Sequence, residues 1–411
     1  MSLYLEPRRL AFGLAVLLAV FSAGCEKPKV EAQRYVFYPK LPDPPRLQFL
    51  MSFSDVKGWV QGPRGSFADF IIGDNTKRAA GSGEILSPYG IGARDGKVYI
   101  CDFGRKCIHV VDMANSKYSR LGTPQQVTQP ANIFIDKDGT RYVCDLGGSR
   151  IAVFDAQDRF IRHLSNAATC MPLSVVAVGD ELFVVDNVGA EVEAWDKSGK
   201  YLRTIVAKGK GPDQLQRPSS IVADSQGRLY VSDVLKSTVN VYDTQGRYLD
   251  AVGGGPGDRV GFFARPKGLA CDSADRLYIV DAQWEIVQIF QISNLSRRLL
   301  LSFGGPRPTA DGLGVPAGVC IDTTSLNAFS KYVSPDFVPE HLLFVTNQFG
   351  NNKVTVFAYG KSKTGDYSAA DKAATQPATG RQRQSRRRRH RRRPSSAAVD
   401  NSRSKQQIST K

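Results

Sequence analysis

Only four histidines occur among the 411 residues: His109, His163, His341 and His390. None falls in an HExxH or CxxCH arrangement, so neither a zinc-protease helix nor a covalently attached haem has its residues here. No P-loop, nucleophile elbow or dinucleotide fingerprint stands out, and the glycine-rich stretches read as turns. What recurs is acid. Asp102, Asp145, Asp186, Asp233 and Asp281, and then Asn347, close six similar apolar runs. Six aligned oxygen donors invite a metal ring, but each stands where a strand turns beside a linker, where a carboxylate accepts backbone N–H groups. Asp112, Asp155, Asp196 and Asp243 end further runs before polar or glycine residues and read as turn formers. No cofactor is expected from these patterns, and no residue is singled out as catalytic.

The elements that carry these residues repeat. Pro88, Pro130, Pro172, Pro218, Pro266 and Pro316 each open a short alternating run, at spacings of 42, 42, 46, 48 and 50 residues. Within 217–248 the unit is plain: Ser220-Ile221-Val222-Ala223, then Leu229-Tyr230-Val231-Ser232-Asp233, then Val239-Asn240-Val241-Tyr242-Asp243, then Tyr248-Leu249. Four short strands joined by turns, six times over, predict an all-β, six-bladed β-propeller. The sixth unit runs out after its third strand, near Gly360. The N-terminal run Arg46-Leu47-Gln48-Phe49-Leu50-Met51-Ser52-Phe53 resembles the fourth strands and is expected to close the ring by completing the last blade, which removes an open edge. Residues 54–86 and 322–341 are irregular insertions, the first expected as a loop over one face.

The linkers sharpen the picture. Lys208-Gly209-Lys210-Gly211-Pro212-Asp213-Gln214-Leu215-Gln216-Arg217-Pro218 and the stretch from Gly253 to Gly268 share a plan: glycines for tight turns, an apolar plug (Leu215, Phe262 or Phe263), then the proline. With the Tyr-Val-Ser-Asp and Val-Tyr-Asp strands, this resembles the NHL-repeat family of six-bladed propellers over about 45–360. The resemblance implies a propeller that binds with one face. Some of its relatives are enzymes, either lyases with a histidine-held zinc or lactonases with a divalent ion on Glu, Asn and Asp near the axis. This chain lacks recurrent channel histidines. Asn132, Asp180, Asn187 and Asp233 offer oxygens for the second kind of site, at spacings that do not single them out. A metal-dependent lyase or lactonase with a central-channel site therefore stands as the alternative to a non-catalytic module.

Residues 1–25 read as an export signal: Arg8 and Arg9, an apolar run over 10–21, and Ser22-Ala23-Gly24 before Cys25. Small residues before a cysteine resemble a bacterial lipobox, which implies acylation of Cys25 and a membrane-anchored lipoprotein facing the periplasm or cell surface. The lipobox leucine is replaced by Ser22. Residues 26–44 read as a Pro-rich tether. The other six cysteines (Cys101, Cys107, Cys144, Cys170, Cys271 and Cys320) permit up to three disulfides in an exported chain, or stay as buried thiols.

Charge is uneven. Segment 361–411 holds 15 Lys and Arg against three Asp, so it supplies +12 of the formal +16. It is expected to be a disordered tail, with Arg386, Arg387, Arg388, Arg389, Arg391, Arg392 and Arg393 as a polyanion-binding run. Nothing aromatic is interleaved with these arginines, so nucleic acid is not expected as a partner. Anionic lipid or glycan at the envelope suits the run better, and a polyanion binder is the third functional reading. On the propeller, the loops after strand two and before strand one share a face. Arg105, Lys106, Lys236, Trp284 and Phe349 are expected there as a protein-binding surface, with Arg150 and the linker cations beside them. The lipobox, the tether with Tyr38-Pro39 and Leu41-Pro42-Asp43-Pro44-Pro45-Arg46, and the 46–54 strand look like a bacterial subgroup of NHL lipoproteins associated with multihaem c-type cytochromes. That resemblance implies a scaffold for an extracytoplasmic electron-transfer complex, bound to an envelope protein.

Overall fold

The computed structural model describes residues 35–56, 83–165, 170–293, 297–306 and 308–367. The chain divides into two units, Met1–Val36 and Phe37–Lys411. Of the first, only residues 35 and 36 are described; the second holds a six-bladed β-propeller. Five sheets have four strands in sequence order, and the sixth is assembled from both ends of the chain.

The innermost strands are Pro88–Arg94, Pro130–Ile135, Pro172–Val178, Pro218–Ala223, Pro266–Cys271 and Pro316–Asp322, so each begins on the expected proline. Proline fits there because the first residue of a strand need not donate to the ladder. A register shift follows the proline in every blade. Second strands such as Arg141–Asp145 and Leu229–Asp233 are buried along their whole length. Their two faces pack on the neighbouring blades, which is why these runs read as nearly continuous apolar stretches. Fourth strands such as Lys117–Leu121 and Phe160–Leu164 carry exposed residues, as expected of an outer rim.

The apolar clusters lie between blades. One joins Val98, Ile100 and Val111 to Phe329, Leu342 and Phe344; another joins Val185, Val192 and Leu215 to Ile221, Leu229 and Val231. Leu215 and Phe263 are both fully buried, so the linker plugs are these two; Phe262 is only partly covered.

Closure occurs where expected. Leu47–Phe53 pairs antiparallel with Val354–Ser362, with Leu47 opposite Tyr359, Phe49 opposite Phe357 and Phe53 opposite Val354. Gln48 ties this strand to the blade-six insertion: its Nε2 donates to the Tyr332 carbonyl at 2.8 Å and its Oε1 accepts the Ser334 N–H at 3.0 Å. That insertion, expected as irregular, contains a 3-10 helix over Leu326–Tyr332 whose Phe329 is buried.

Two expected boundaries move outward. Tyr38 lies within the expected tether, yet it is buried, its hydroxyl donates to Asp311, and its carbonyl accepts the Arg46 N–H at 2.8 Å. At the other end the last strand runs to Ser362, and Tyr367 folds back so that its hydroxyl donates to the Pro45 carbonyl at 2.7 Å. The Arg46 guanidinium sits 4.2 Å from the Tyr367 ring centre. The packed body therefore reaches past 45–360 at both ends, because aromatic side chains there find apolar and cationic cover that composition alone does not reveal.

Candidate functional site

The aligned acids are structural anchors. Asp281 is fully buried and accepts four backbone N–H groups: Ala264 at 2.7 Å, Arg265 at 3.2 Å, Gln283 at 3.0 Å and Trp284 at 3.2 Å. Asp233 does the same for Gln216, Arg217, Leu235 and Lys236. Each carboxylate thus binds the linker entering its blade to the loop leaving strand two. Asn347 replaces the acid in blade six and uses both ends of its amide. Its Oδ1 accepts the Gly314 N–H, while its Nδ2 donates to the Asn352 carbonyl and to Thr355 Oγ1. In blade one, Asp102 also meets the ring of His109, Nε2 to Oδ2 at 3.3 Å, inside the protein. Burial by itself would raise the Asp102 carboxyl. The His109 ring and the Leu86, Ser87 and Arg105 N–H groups outweigh it and hold the carboxyl below its ordinary value.

The turn acids are bonded as expected too. Asp155, Asp196 and Asp243 each accept the N–H groups two and four residues on. In the last of these turns Gly246 has φ of 83°, and a Cβ there would come within 1.9 Å of the Ile205 carbonyl oxygen, so only glycine fits.

The axis of the ring is lined by small side chains. Gly90, Asn132, Ser174, Ser220, Gly268 and Gly318 occupy the second position after each proline. The strands approach closely there: a Cβ on Gly318 would lie 2.3 Å from the Tyr89 carbonyl oxygen. Ser174 and Ser220 fasten neighbouring blades by accepting the N–H groups of Ile221 and Leu269. Among the described residues, neither this channel cavity (≈ 250 Å³) nor the one at its mouth (≈ 270 Å³) is lined by a carboxylate or an imidazole. Of the four oxygen donors considered from the sequence, Asn132 and Asn187 face these cavities. Asp233 spends its carboxylate on backbone N–H groups, and Asp180 sits in the hairpin between Pro172–Val178 and Glu181–Asp186. These residues do not form the carboxylate-rich donor set that a lactonase-type metal ion needs.

The expected binding face contains a different set of side chains from the one read in the sequence. Phe349 is 66 % exposed, Trp284 is 39 % exposed with its indole N–H on the Gly257 carbonyl at 3.2 Å, and Lys106 is exposed. Lys236 turns inward: its ammonium donates to the carbonyls of Gly211, Pro212 and Gln214. Arg105 pairs with Glu84, and Arg150 pairs with Asp145 at 3.2 Å. The sequence reading overlooked Phe103, Val188 and Leu235, the last 61 % exposed. Each stands one or two places after its strand-two acid, so the signal was present in the repeat alignment. Cys25 and the arginines of 386–393 lie outside the described residues, as do residues 57–82 of the loop expected over 54–86.

All six cysteines of the described residues are free thiols. Burial, first of all, pushes the Cys101, Cys144, Cys170, Cys271 and Cys320 thiols well up, which disfavours the nucleophilic thiolate.

No family model matches the chain. Among solved structures it is similar to a protein of unknown function from Bacteroides thetaiotaomicron, at 14 % identity and a TM-score of 0.52, covering 68 % of this chain and 70 % of that one. It is also similar to a gluconolactonase from Xanthomonas campestris, at 13 % identity and a TM-score of 0.50, covering 78 % and 91 %. A virginiamycin B lyase from Staphylococcus aureus aligns at 14 % identity and a TM-score of 0.45, covering 66 % and 95 %. At such identities the first two share with this chain the fold alone. The chain is an all-β, six-bladed propeller, closed by its N-terminal strand, whose solved neighbours include a gluconolactonase.

Proposed function

We propose that this chain is a non-catalytic binding module that docks a protein partner on the face carrying the loops after strand two. The observation that carries this reading is the set of exposed apolar side chains on that face. Phe103, Val188, Leu235, Trp284 and Phe349 come from five different blades and occupy related positions after the strand-two residue. Exposed aromatic and aliphatic groups spread over one face suit a protein interface, and aromatic groups are its usual anchors. The channel, lined by Gly, Asn and Ser at the second position after each proline, supports no comparable case for catalysis.

The finer parts of the reading rest on the N-terminal sequence. Export and acylation at Cys25 would hold the module at the envelope, and the likeness to cytochrome-associated lipoproteins makes a multihaem cytochrome the partner to test first. The experiment is capture from an envelope extract with the full chain, with haem staining of the eluate, repeated with Leu235→Ser, Trp284→Ala and Phe349→Ser combined. The expected result is one dominant partner, lost in the triple variant while its melting temperature stays close to that of the wild type. Undiminished capture by the variant would overturn the assignment of the face.

A further inference from the structure

Among the described residues, the mouth of the central channel is lined by three cations and no acid. Arg217 and Arg265 occupy the same position in adjacent blades, directly before Pro218 and Pro266, and both residues are exposed. The other four blades carry Ser87, Gln129, Met171 and Val315 at that position. Neither arginine side chain makes an ion pair or a hydrogen bond among the described residues. Lys267 follows Pro266 and is only 8 % exposed. Its ammonium donates to Gln348 Oε1 at 2.8 Å and lies 5.8 Å from the centre of the Tyr89 ring. Among the described residues, a neutral amide and a ring face are the partners of a buried charge that also feels two like charges.

Burial, then Arg265, then Arg217 push the Lys267 ammonium down to about 8. A buried ammonium with no countercharge is costly, and an anion in the cavity would relieve that cost. Apolar side chains complete the wall: Phe103, Leu146 and Leu173 line the same cavity of ≈ 270 Å³. That volume is at the small end for ligand pockets. A strongly hydrated inorganic anion gains nothing from such a wall, whereas an anion on an apolar body does.

We propose that the channel mouth binds a carboxylate carried on a small apolar body, with Arg217, Arg265 and Lys267 holding the anion and Phe103, Leu146 and Leu173 covering the body. Two sources share this chemistry: a free organic acid, or the carboxylate at the end of a bound polypeptide. The site lies on the same face as the docking reading and shares Phe103 with it, but its three cations are untouched by the triple variant, so the two can fail separately.

The test is calorimetric titration of the full chain with 4-phenylbutyrate, 4-phenylbutyramide and inorganic phosphate. Two arms then compare a short peptide ending in phenylalanine with a free or an amidated C-terminus. The acid should bind, while the amide and phosphate should not. Arg217→Gln and Arg265→Gln should each weaken binding about tenfold, the value of one lost hydrogen bond to a charged group. Both residues are exposed, so these variants should fold normally. Lys267→Met should weaken binding further, and Arg259→Gln, a cation elsewhere on the rim, should leave it unchanged. Tighter binding of the free-ended peptide than of phenylbutyrate assigns the site to polypeptide ends, and the reverse order assigns it to free acids. Equal binding of acid and amide, or an affinity unaffected by Arg217→Gln and Arg265→Gln together, would overturn the proposal.

Discussion

Acid should destabilise this propeller through His341 as the pH falls from about 6.5 towards 4. The imidazole is 2 % exposed, stacks on Tyr359 with ring centres 5.0 Å apart and planes 8° from parallel, and shares a 2.9 Å hydrogen bond with the Tyr278 hydroxyl. The Arg276 guanidinium also lies over the Tyr359 ring, 4.2 Å from its centre. Burial, and then the Arg276 charge, push His341 down to about 4 from its ordinary 6.5; Asp272 and Glu340 pull weakly the other way. Between those values the unfolded chain binds a proton that the folded chain refuses. The stabilisation is complete above about pH 6.5 and is lost as the pH falls towards 4. At 1.36 kcal/mol per unit, the loss across that window is about 3 kcal/mol. Urea unfolding followed by tryptophan fluorescence, at steps from pH 7.5 to 4, reads it directly. His341→Gln keeps a polar group near Tyr278 but cannot charge, so its stability should be lower at pH 7.5 and much flatter towards acid. Parallel pH curves for wild type and variant would refute the reasoning, because they would place the acid sensitivity elsewhere.

His109 should show the opposite sign. Burial opposes its charge, yet Asp102 and Cys107 outweigh burial and raise it, so its contribution is complete below about pH 6.5 and fades above. The stability gap between wild type and His109→Gln should therefore narrow from pH 6 to pH 8.5 in the same urea assay. Asp281→Ala strips four N–H groups of their acceptor and should cost about 3 kcal/mol; Asp281→Asn should recover only part of it, since its Nδ2 would face the Ala264 N–H that Oδ2 now accepts, while Oδ1 keeps the other three. Gly318→Ala sets a Cβ against the Tyr89 carbonyl and should lower the urea midpoint by the equivalent of about 1–3 kcal/mol. Thiol titration without reductant should find Cys101, Cys144 and Cys170 unreactive in the native protein, and all six propeller thiols reactive after denaturation.

The repeat made the architecture legible. Pro at the start of each inner strand, an acid at the end of each second strand and two apolar middle strands are local consequences of one blade between two others, so they recur with the blade. Closure could be read for the same reason, because Leu47–Phe53 carries the pattern of a fourth strand without three partners beside it in sequence. The role of the aligned acids was also local, a carboxylate meeting nearby N–H groups.

Tertiary structure decided what no single blade specifies. Lys236 and Lys267 are both lysines near strand ends, yet one ammonium is satisfied by three carbonyls of its own linker and the other is buried at the axis against Gln348, 81 residues away. Tyr38 and Tyr367 belong to the body because Asp311 and Pro45 come within reach only when the ring closes. The cationic mouth exists because two adjacent blades bring Arg217 and Arg265 towards one axis. Side-chain solvation and charge proximity depend on neighbours brought from other blades, and a one-dimensional pattern carries no record of that distance.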